Sequence, residues 1–414
     1  MSKIKIGVFG AGRGMTMINQ ILNSPDAELV AVCDKHEPTL EKCKNKAVEH
    51  GMTNIAYYTD FEDFFVHEMD AVVLANYANQ HAPFAIRLLD SGRHVMSECL
   101  TCATMKEAVE LIEAVERSGK IYAYAENYCY MPAPRKMRQL FRDGVLGEFE
   151  YGEGEYVHNC EPGWPGYSCC DPNHWRNTMS AFYYCTHSLG PLLHITGLRP
   201  VKVTGFELPF NARMHRMGAK AGSMGVEMVT LENGAVVKSI HGVGPSKNSI
   251  WYSIYGSKGR MESAREDAEN GGTQTLYVNC DKEEGDNDSA PVNTPTADRN
   301  ASRANNAGHG GSDYYTMFNF CEKLRKSPFA DVVDVYEAMD MFLPGMFAYR
   351  SVLNGGIPMD IPNLRNPEER EKWRNDTACT DPRLAGDMLQ PSYSKGNPDI
   401  APEVYEALKE KLKK

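Results

Sequence analysis

The chain has 414 residues, a formal net charge of −11 and a pI near 5.6. That length predicts two domains, each able to bury a core, and the acidic balance argues against nucleic acid or an anionic membrane surface as partner. Met1-Ser2-Lys3 leads directly into an apolar run without a signal-peptide core, no stretch reaches membrane length, and 12 cysteines read as reduced thiols, so a cytoplasmic enzyme is expected.

The predicted elements begin with a strand over Ile4–Phe9, a glycine turn at Gly10, Gly12 and Gly14, and a helix over residues 15–22. A second strand, residues 29–33, ends at Asp34. This order suits a dinucleotide: glycines admit the pyrophosphate, a helix N-terminus receives its charge, and a carboxylate takes the ribose hydroxyls. Met15 stands where a third glycine or alanine is expected, and Asp34 favours NAD over NADP because a 2′-phosphate would meet its charge. Further apolar runs at residues 71–75, 94–96 and 121–125 alternate with helical spacing, clearest at residues 104–118, where Thr104 and Glu107 make a capping box. Strict alternation implies a parallel, doubly wound α/β sheet over residues 1–125.

After residue 125 the pattern changes. Pro132 and Pro134 precede a helix ending near Gly144, and residues 224–241 carry the hairpin signal Glu232-Asn233-Gly234. Residues 251–256 read as another strand. The expectation for residues 126–362 is a substrate domain with an open, mainly antiparallel sheet, interrupted by a polar excursion at 265–311 that is either a lid or a plain surface insertion. Residues 363–414 form an extension that ends in an amphipathic helix, Pro402–Leu412, read as a packing or oligomer arm. Cys99 and Cys102 lie at a strand end rather than in a thioredoxin context, and the His and Cys residues between 158 and 185 fit no zinc spacing, so no metal is expected.

The order Gly10-Ala11-Gly12, Asp34, His81-Ala82-Pro83 and then Gly92 through Glu98 resembles the Gfo/Idh/MocA oxidoreductases. The resemblance implies a Rossmann domain, a C-terminal α/β domain with an open sheet, bound NAD, and a sugar or polyol substrate. Usual members carry Glu-Lys-Pro where this chain has Glu98-Cys99-Leu100, and an aspartate where it has Tyr183, four residues before His187. The stretches Glu126–Tyr130, 155–158, 184–191 and 308–314 are similar instead to the NAD-dependent glycosidases of family 109. That branch implies transient oxidation at C3 of the sugar, loss of the C2 proton, elimination of the aglycone, addition of water and re-reduction. A sugar 3-dehydrogenase that releases a keto-sugar, and a non-catalytic NAD- or sugar-binding regulator, remain as alternatives.

Residue roles follow from the resemblance. His187 takes the C3 hydroxyl proton, Tyr156 the C2 proton, Tyr184 relays or orients from i, i+3 spacing, and Glu126 binds hydroxyls or steers a proton. Gly10, Gly12, Arg13, Gly14, Met15, Asp34, Asn76, His81, Glu98 and Asn127 are assigned to the cofactor; His81 reads equally as a helix N-terminal residue and Glu98 as a strand-end cap. Trp175, Arg176 and His309 are assigned to the sugar, the Trp ring against a sugar face and the guanidinium toward a hydroxyl or acid; Trp175 and Arg176 read equally as a core tryptophan beside a solvated arginine. The expected partner is a small glycoside, with a homo-oligomer covering the open sheet.

Overall fold

The computed structural model describes residues 2–266, 275–281, 300–304 and 307–413. Two compact units emerge: Met1–Tyr130 with Ala297–Met339 and Arg370–Asn375, and Met131–Thr296 with Asp340–Glu369 and Asp376–Lys414. The first therefore draws on segments far along the chain, whereas alternation in the sequence marks only its N-terminal part.

The first unit is built on six parallel strands: β1 (Ile4–Phe9), β2 (Ala27–Cys33), β3 (Ala56–Tyr58), β4 (Ala71–Leu74), β5 (His94–Ser97) and β6 (Tyr122–Tyr124), in the order β3-β2-β1-β4-β5-β6. All four residues of β4 are fully buried, as expected for a strand covered on both faces. The helix after β1 starts at Ala11 rather than residue 15, so Gly12 and Gly14 are its first-turn residues. In the helix Met105–Ser118, Thr104 Oγ1 accepts from the Glu107 N–H at 3.1 Å while Glu107 Oε2 accepts from the Ala103 N–H at 2.7 Å, one residue before the expected cap. Met317, Phe320 and Cys321 of the helix Ser312–Leu324 join the core formed by Ile6, Val8, Ile18 and Val73. That packing brings the chain's later segment into this unit.

The second unit is an eight-stranded sheet of β7 (Phe149–His158), β8 (Pro200–Glu207), β9 (Met224–Leu231), β10 (Val236–Val243), β11 (Ser249–Gly256), β12 (Gly259–Ser263), β13 (Leu276–Cys280) and β14 (Met359–Asp360), ordered β13-β12-β11-β7-β10-β9-β8-β14. Its pairs are antiparallel except β7 with β10. Asn233 and Gly234 turn the β9–β10 hairpin, Gly234 at φ 89, where a side chain would be strained. Pro132 and Pro134 lie within the first turn of the helix Pro132–Arg142, where a missing N–H costs nothing.

Part of the polar stretch 265–311 is regular structure. β13 extends the sheet edge, and Ala301–Ala304 and His309–Gly311 are short helical turns; residues 267–274, 282–299 and 305–306 lie outside the described residues. The helix Pro402–Leu412 packs within the second unit, with Tyr405 and Leu408 against Ile400 and Cys170. Among the described residues no helix is long and apolar enough to cross a membrane, and all 12 cysteines are free thiols.

Candidate functional site

In the first unit, polar groups converge where the parallel strands end. Gly10 has φ 94, and a Cβ there would lie 2.3 Å from Ala75 C and Asn76 N, so the chain passes only as glycine. A Cβ on Gly14 would lie 2.8 Å from Val8 Cγ1. Gly14 thus performs the helix-on-strand packing expected of a third glycine, and Met15 is left to pack at the core's edge. Gly12 faces open space. Asp34 Oδ2 accepts from the Ala11 N–H at 2.8 Å and Oδ1 from the His36 N–H at 2.9 Å, which fixes the carboxylate beside the helix start.

The other predicted cofactor residues form a charged group. Arg13 Nη2 lies 3.0 Å from Glu98 Oε1 and 3.8 Å from Asp313 Oδ1. Glu98, and then Asp313 against the opposing effect of burial, raise the Arg13 guanidinium further above its ordinary value. Asp313 also accepts from Asn127 Nδ2 at 3.1 Å and pairs with His309 Nδ1 at 2.7 Å. Burial pushes the Asp313 carboxyl up, but His309, Arg13 and Asn127 together hold it below the usual range. Asp313 was not singled out by sequence reasoning, although the adjacent positive-φ residues His309, Gly310 and Gly311 mark a built turn. His309, expected at the sugar, belongs to this group.

His81 is buried at the start of the helix His81–Asp90, with Nδ1 3.0 Å from the Leu100 carbonyl oxygen and Nε2 3.2 Å from that of Asn76. It ties two loops together. Glu126 is also buried, accepting the Tyr128 N–H at 3.3 Å and the Cys99 thiol at 3.4 Å. Burial, then the neighbouring carboxylates, pushes Cys99 well up, and burial does the same to Cys102, so both thiols stay protonated. The open space at Gly12, the N–H groups of the helix start and a buried Asn76 Oδ1 without a hydrogen-bond partner together fit a dinucleotide.

In the second unit, β7 and the helix Thr186–Thr196 come into backbone contact at Gly154, where a Cβ would lie 1.8 Å from the Ser188 carbonyl oxygen. Two residues further along the same strand face, the Tyr156 ring meets the His187 ring edge-on, with centroids 4.7 Å apart. Tyr252 donates its hydroxyl to the His187 carbonyl at 2.5 Å, anchoring the helix from β11. Tyr184 lies in a separate 3-10 turn, Ala181–Tyr184, rather than on the His187 helix, yet its ring centroid is 5.8 Å from that of His187. Arg176 donates from Nη1 to the Tyr184 hydroxyl at 3.1 Å, and its guanidinium lies 4.5 Å from the Trp175 ring centroid. Trp175 itself is buried and supports the arginine; it does not line the adjoining cavity of about 190 Å³, which Tyr156, Arg176 and Tyr184 do.

Behind His187 lies a buried polar layer. Ser188 Oγ is 2.8 Å from Ser239 Oγ and 3.2 Å from His241 Nδ1. Burial, with a smaller contribution from His187, lowers His241 from 6.5 to about 3. Burial raises Glu227, cross-strand neighbour of Ser239, from 4.5 to about 8, the Ser239 hydroxyl opposing. Both groups are therefore neutral near pH 7.

Comparison with known proteins finds two family models along the chain. Residues 4–126 match the oxidoreductase family with an NAD-binding Rossmann fold, Gfo/Idh/MocA, and residues 205–374 match the glycosyl hydrolase 109 C-terminal domain. The N-terminal part is thus similar to the Gfo/Idh/MocA oxidoreductases and the later part to glycosyl hydrolase family 109. The chain is 24% identical over 403 residues to a glycosyl hydrolase family 109 protein of Saccharopolyspora erythraea, covering 90% of this chain and 84% of the relative. It is 23% identical over 400 residues to the α-N-acetylgalactosaminidase of Shewanella oneidensis, covering 88% and 85%. Scyllo-inositol dehydrogenase from Lactobacillus casei, solved with NAD(H) and scyllo-inositol, shares the fold of this chain: TM-score 0.66, 18% identity, 88% of this chain and all of that one. Myo-inositol 2-dehydrogenase from Lactobacillus plantarum gives 0.67 at 18% identity, covering 87% of this chain and 100% of that chain.

Proposed function

We propose that this protein is an NAD-dependent glycosidase that returns its cofactor to the starting state in each cycle. The observation that supports the reading is the Tyr156–His187 ring pair at 4.7 Å, two side chains able to transfer protons, with Tyr156 also in the lining of the adjoining cavity. NAD, when bound, supplies the acceptor for the hydride that leaves C3 and gives it back at the end.

A ring nitrogen of His187 receives the C3 hydroxyl proton, which leaves a ketone next to C2. The ketone acidifies the C2–H, and the Tyr156 oxygen removes that proton. The electron pair released at C2 forms the C1–C2 double bond as the C1–O bond breaks, and the departing aglycone oxygen takes a proton. Water then adds at C1, the C2 proton is restored, and His187 returns the proton to O3. Tyr184, its hydroxyl held by Arg176 at 3.1 Å, orients the sugar oxygens. In the first unit Gly10, Gly12, Arg13, Gly14, Asp34, Asn76, Glu98 and Asn127 hold the cofactor, with Asp313 as the hub of the charged group.

The test is incubation with NAD and a panel of α- and β-aryl glycosides in D2O. Aglycone release with deuterium at C2 and no build-up of NADH is the expected result. NADH rising in step with a keto-sugar would make the protein a sugar 3-dehydrogenase.

A further inference from the structure

The cavity beside Tyr156 and Tyr184 is lined by two chemically different sets of side chains. Tyr156, His158, Cys160, Arg176, Tyr184 and Ser223 form the polar set. The other includes Trp164, Met214, Ala219 and Ala221, which belong to one apolar cluster, together with Met179 and Tyr167. None of the described lining residues is a carboxylate, an amide or a lysine. Tyr167 is an exposed aromatic, 49% accessible, whose ring lies over Gly163 so closely that a Cβ there would be 2.8 Å from it.

A second sugar ring would suffer in such a lining. Each hydroxyl buried without a partner loses its hydrogen bonds to water, and methionine, alanine and tryptophan side chains offer few replacements. An aromatic ring gains instead from the apolar surface removed from water, with further sulfur–ring attraction from methionine. An apolar cavity of about 150 Å³ takes a benzene ring, and the polar and apolar parts of this one together measure about 190 Å³.

We propose that the apolar part of this cavity is the aglycone site and that the substrates are monoglycosides of aromatic alcohols or phenols, not oligosaccharides. The assignment rests on the glycosidase reading, and the experiment separates the two. Equilibrium binding of benzyl and methyl glycosides is measured across the same panel of sugars with the NAD-loaded protein, beside turnover of each. These two alcohols are similar leaving groups, so the comparison isolates the ring. The benzyl glycoside of the preferred sugar is expected to bind at least about tenfold more tightly than the methyl glycoside. Ala221→Leu, which fills the cavity, and Tyr167→Ala, which removes an exposed wall, each bring that ratio toward one while methyl glycoside binding stays unchanged. Tyr167→Ala keeps the test valid if Ala221→Leu does not fold. Equal binding of the two glycosides, or tighter binding of a disaccharide, overturns the aglycone site even where bonds are cleaved. Ring-dependent binding without cleavage upholds the aglycone site and defeats the glycosidase reading.

Discussion

The two units solve the problem of holding a ligand in opposite ways. The first gathers Arg13, Glu98, Asn127, His309 and Asp313 into a group whose every charge has a partner. The second places one arginine among aromatic and sulfur-containing side chains, and behind His187 it buries Glu227 and His241 in neutral form. A charged ligand is met by charges already oriented for it, whereas an aromatic, uncharged one is met by surface that water leaves readily.

The strongest way to break this comparison uses two glycines. Gly10→Ala forces a Cβ to within 2.3 Å of backbone atoms at Ala75 and Asn76, and NAD affinity is expected to fall about a hundredfold while glycoside binding survives. Gly154→Ala sets a Cβ 1.8 Å from the Ser188 carbonyl, separating Tyr156 from His187, so turnover falls by a similar factor with NAD binding intact. Titration calorimetry with NAD, beside kcat on an aryl glycoside, reads both; loss of the two functions together in either variant would refute the division.

Stability against pH gives the next contrast. Glu227, raised from 4.5 to about 8, contributes stability that is full below pH 4.5 and is lost as pH rises through 8. His241, lowered from 6.5 to about 3, acts in the other sense, its contribution being lost as pH falls from 6.5 toward 3. The second unit should therefore be most stable between pH 4.5 and 6.5, where the two slopes oppose each other. Glu227→Gln is expected to remove the alkaline loss, on the order of 3 kcal/mol at pH 7. Asp313, held low, contributes stability that is present above 3.8 and is lost as pH falls through its depressed value, so its contribution to the first unit is lost in acid. Denaturant melts of wild type, Glu227→Gln and Asp313→Asn from pH 3 to 9 measure these slopes. An unchanged alkaline slope in Glu227→Gln would show that this residue is not the source.

The smallest expected effect concerns the C-terminal helix. The Tyr405 hydroxyl donates to the Gly218 carbonyl at 2.9 Å, just before cavity residues Ala219 and Ala221. Tyr405→Phe should cost about 1 kcal/mol in thermal stability and raise the KM of an aryl glycoside a few-fold with kcat held. A fall in kcat alone would contradict this bracing role.

What the sequence revealed divides along the same line. Turn glycines, the alternation of β1 to β6 and the Thr104 cap depend on neighbours a few residues away, and they could be read from local pattern. The hairpin at Asn233-Gly234 was legible for the same reason. Asp313 was missed because its partners Arg13 and Asn127 are hundreds of residues distant, and Tyr184 was placed on the His187 helix because i, i+3 spacing does not distinguish a 3-10 turn from the helix that follows. Trp175 was read as a sugar wall, although its burial beneath Arg176 depends on packing that no local pattern encodes.

Most of the cavity's apolar lining lies outside the regular strands. Trp164, Tyr167 and Met179 sit on the connection from β7 to the His187 helix, and Met214 lies on the short helix Ala212–Met217, packed against the chain's last helix. Residues that select a ligand can thus be exchanged, lengthened or shortened without disturbing the strand and helix that bring Tyr156 to His187. A scaffold arranged in this way can acquire new substrates by drift in its connections while the Tyr156–His187 pair stays in place.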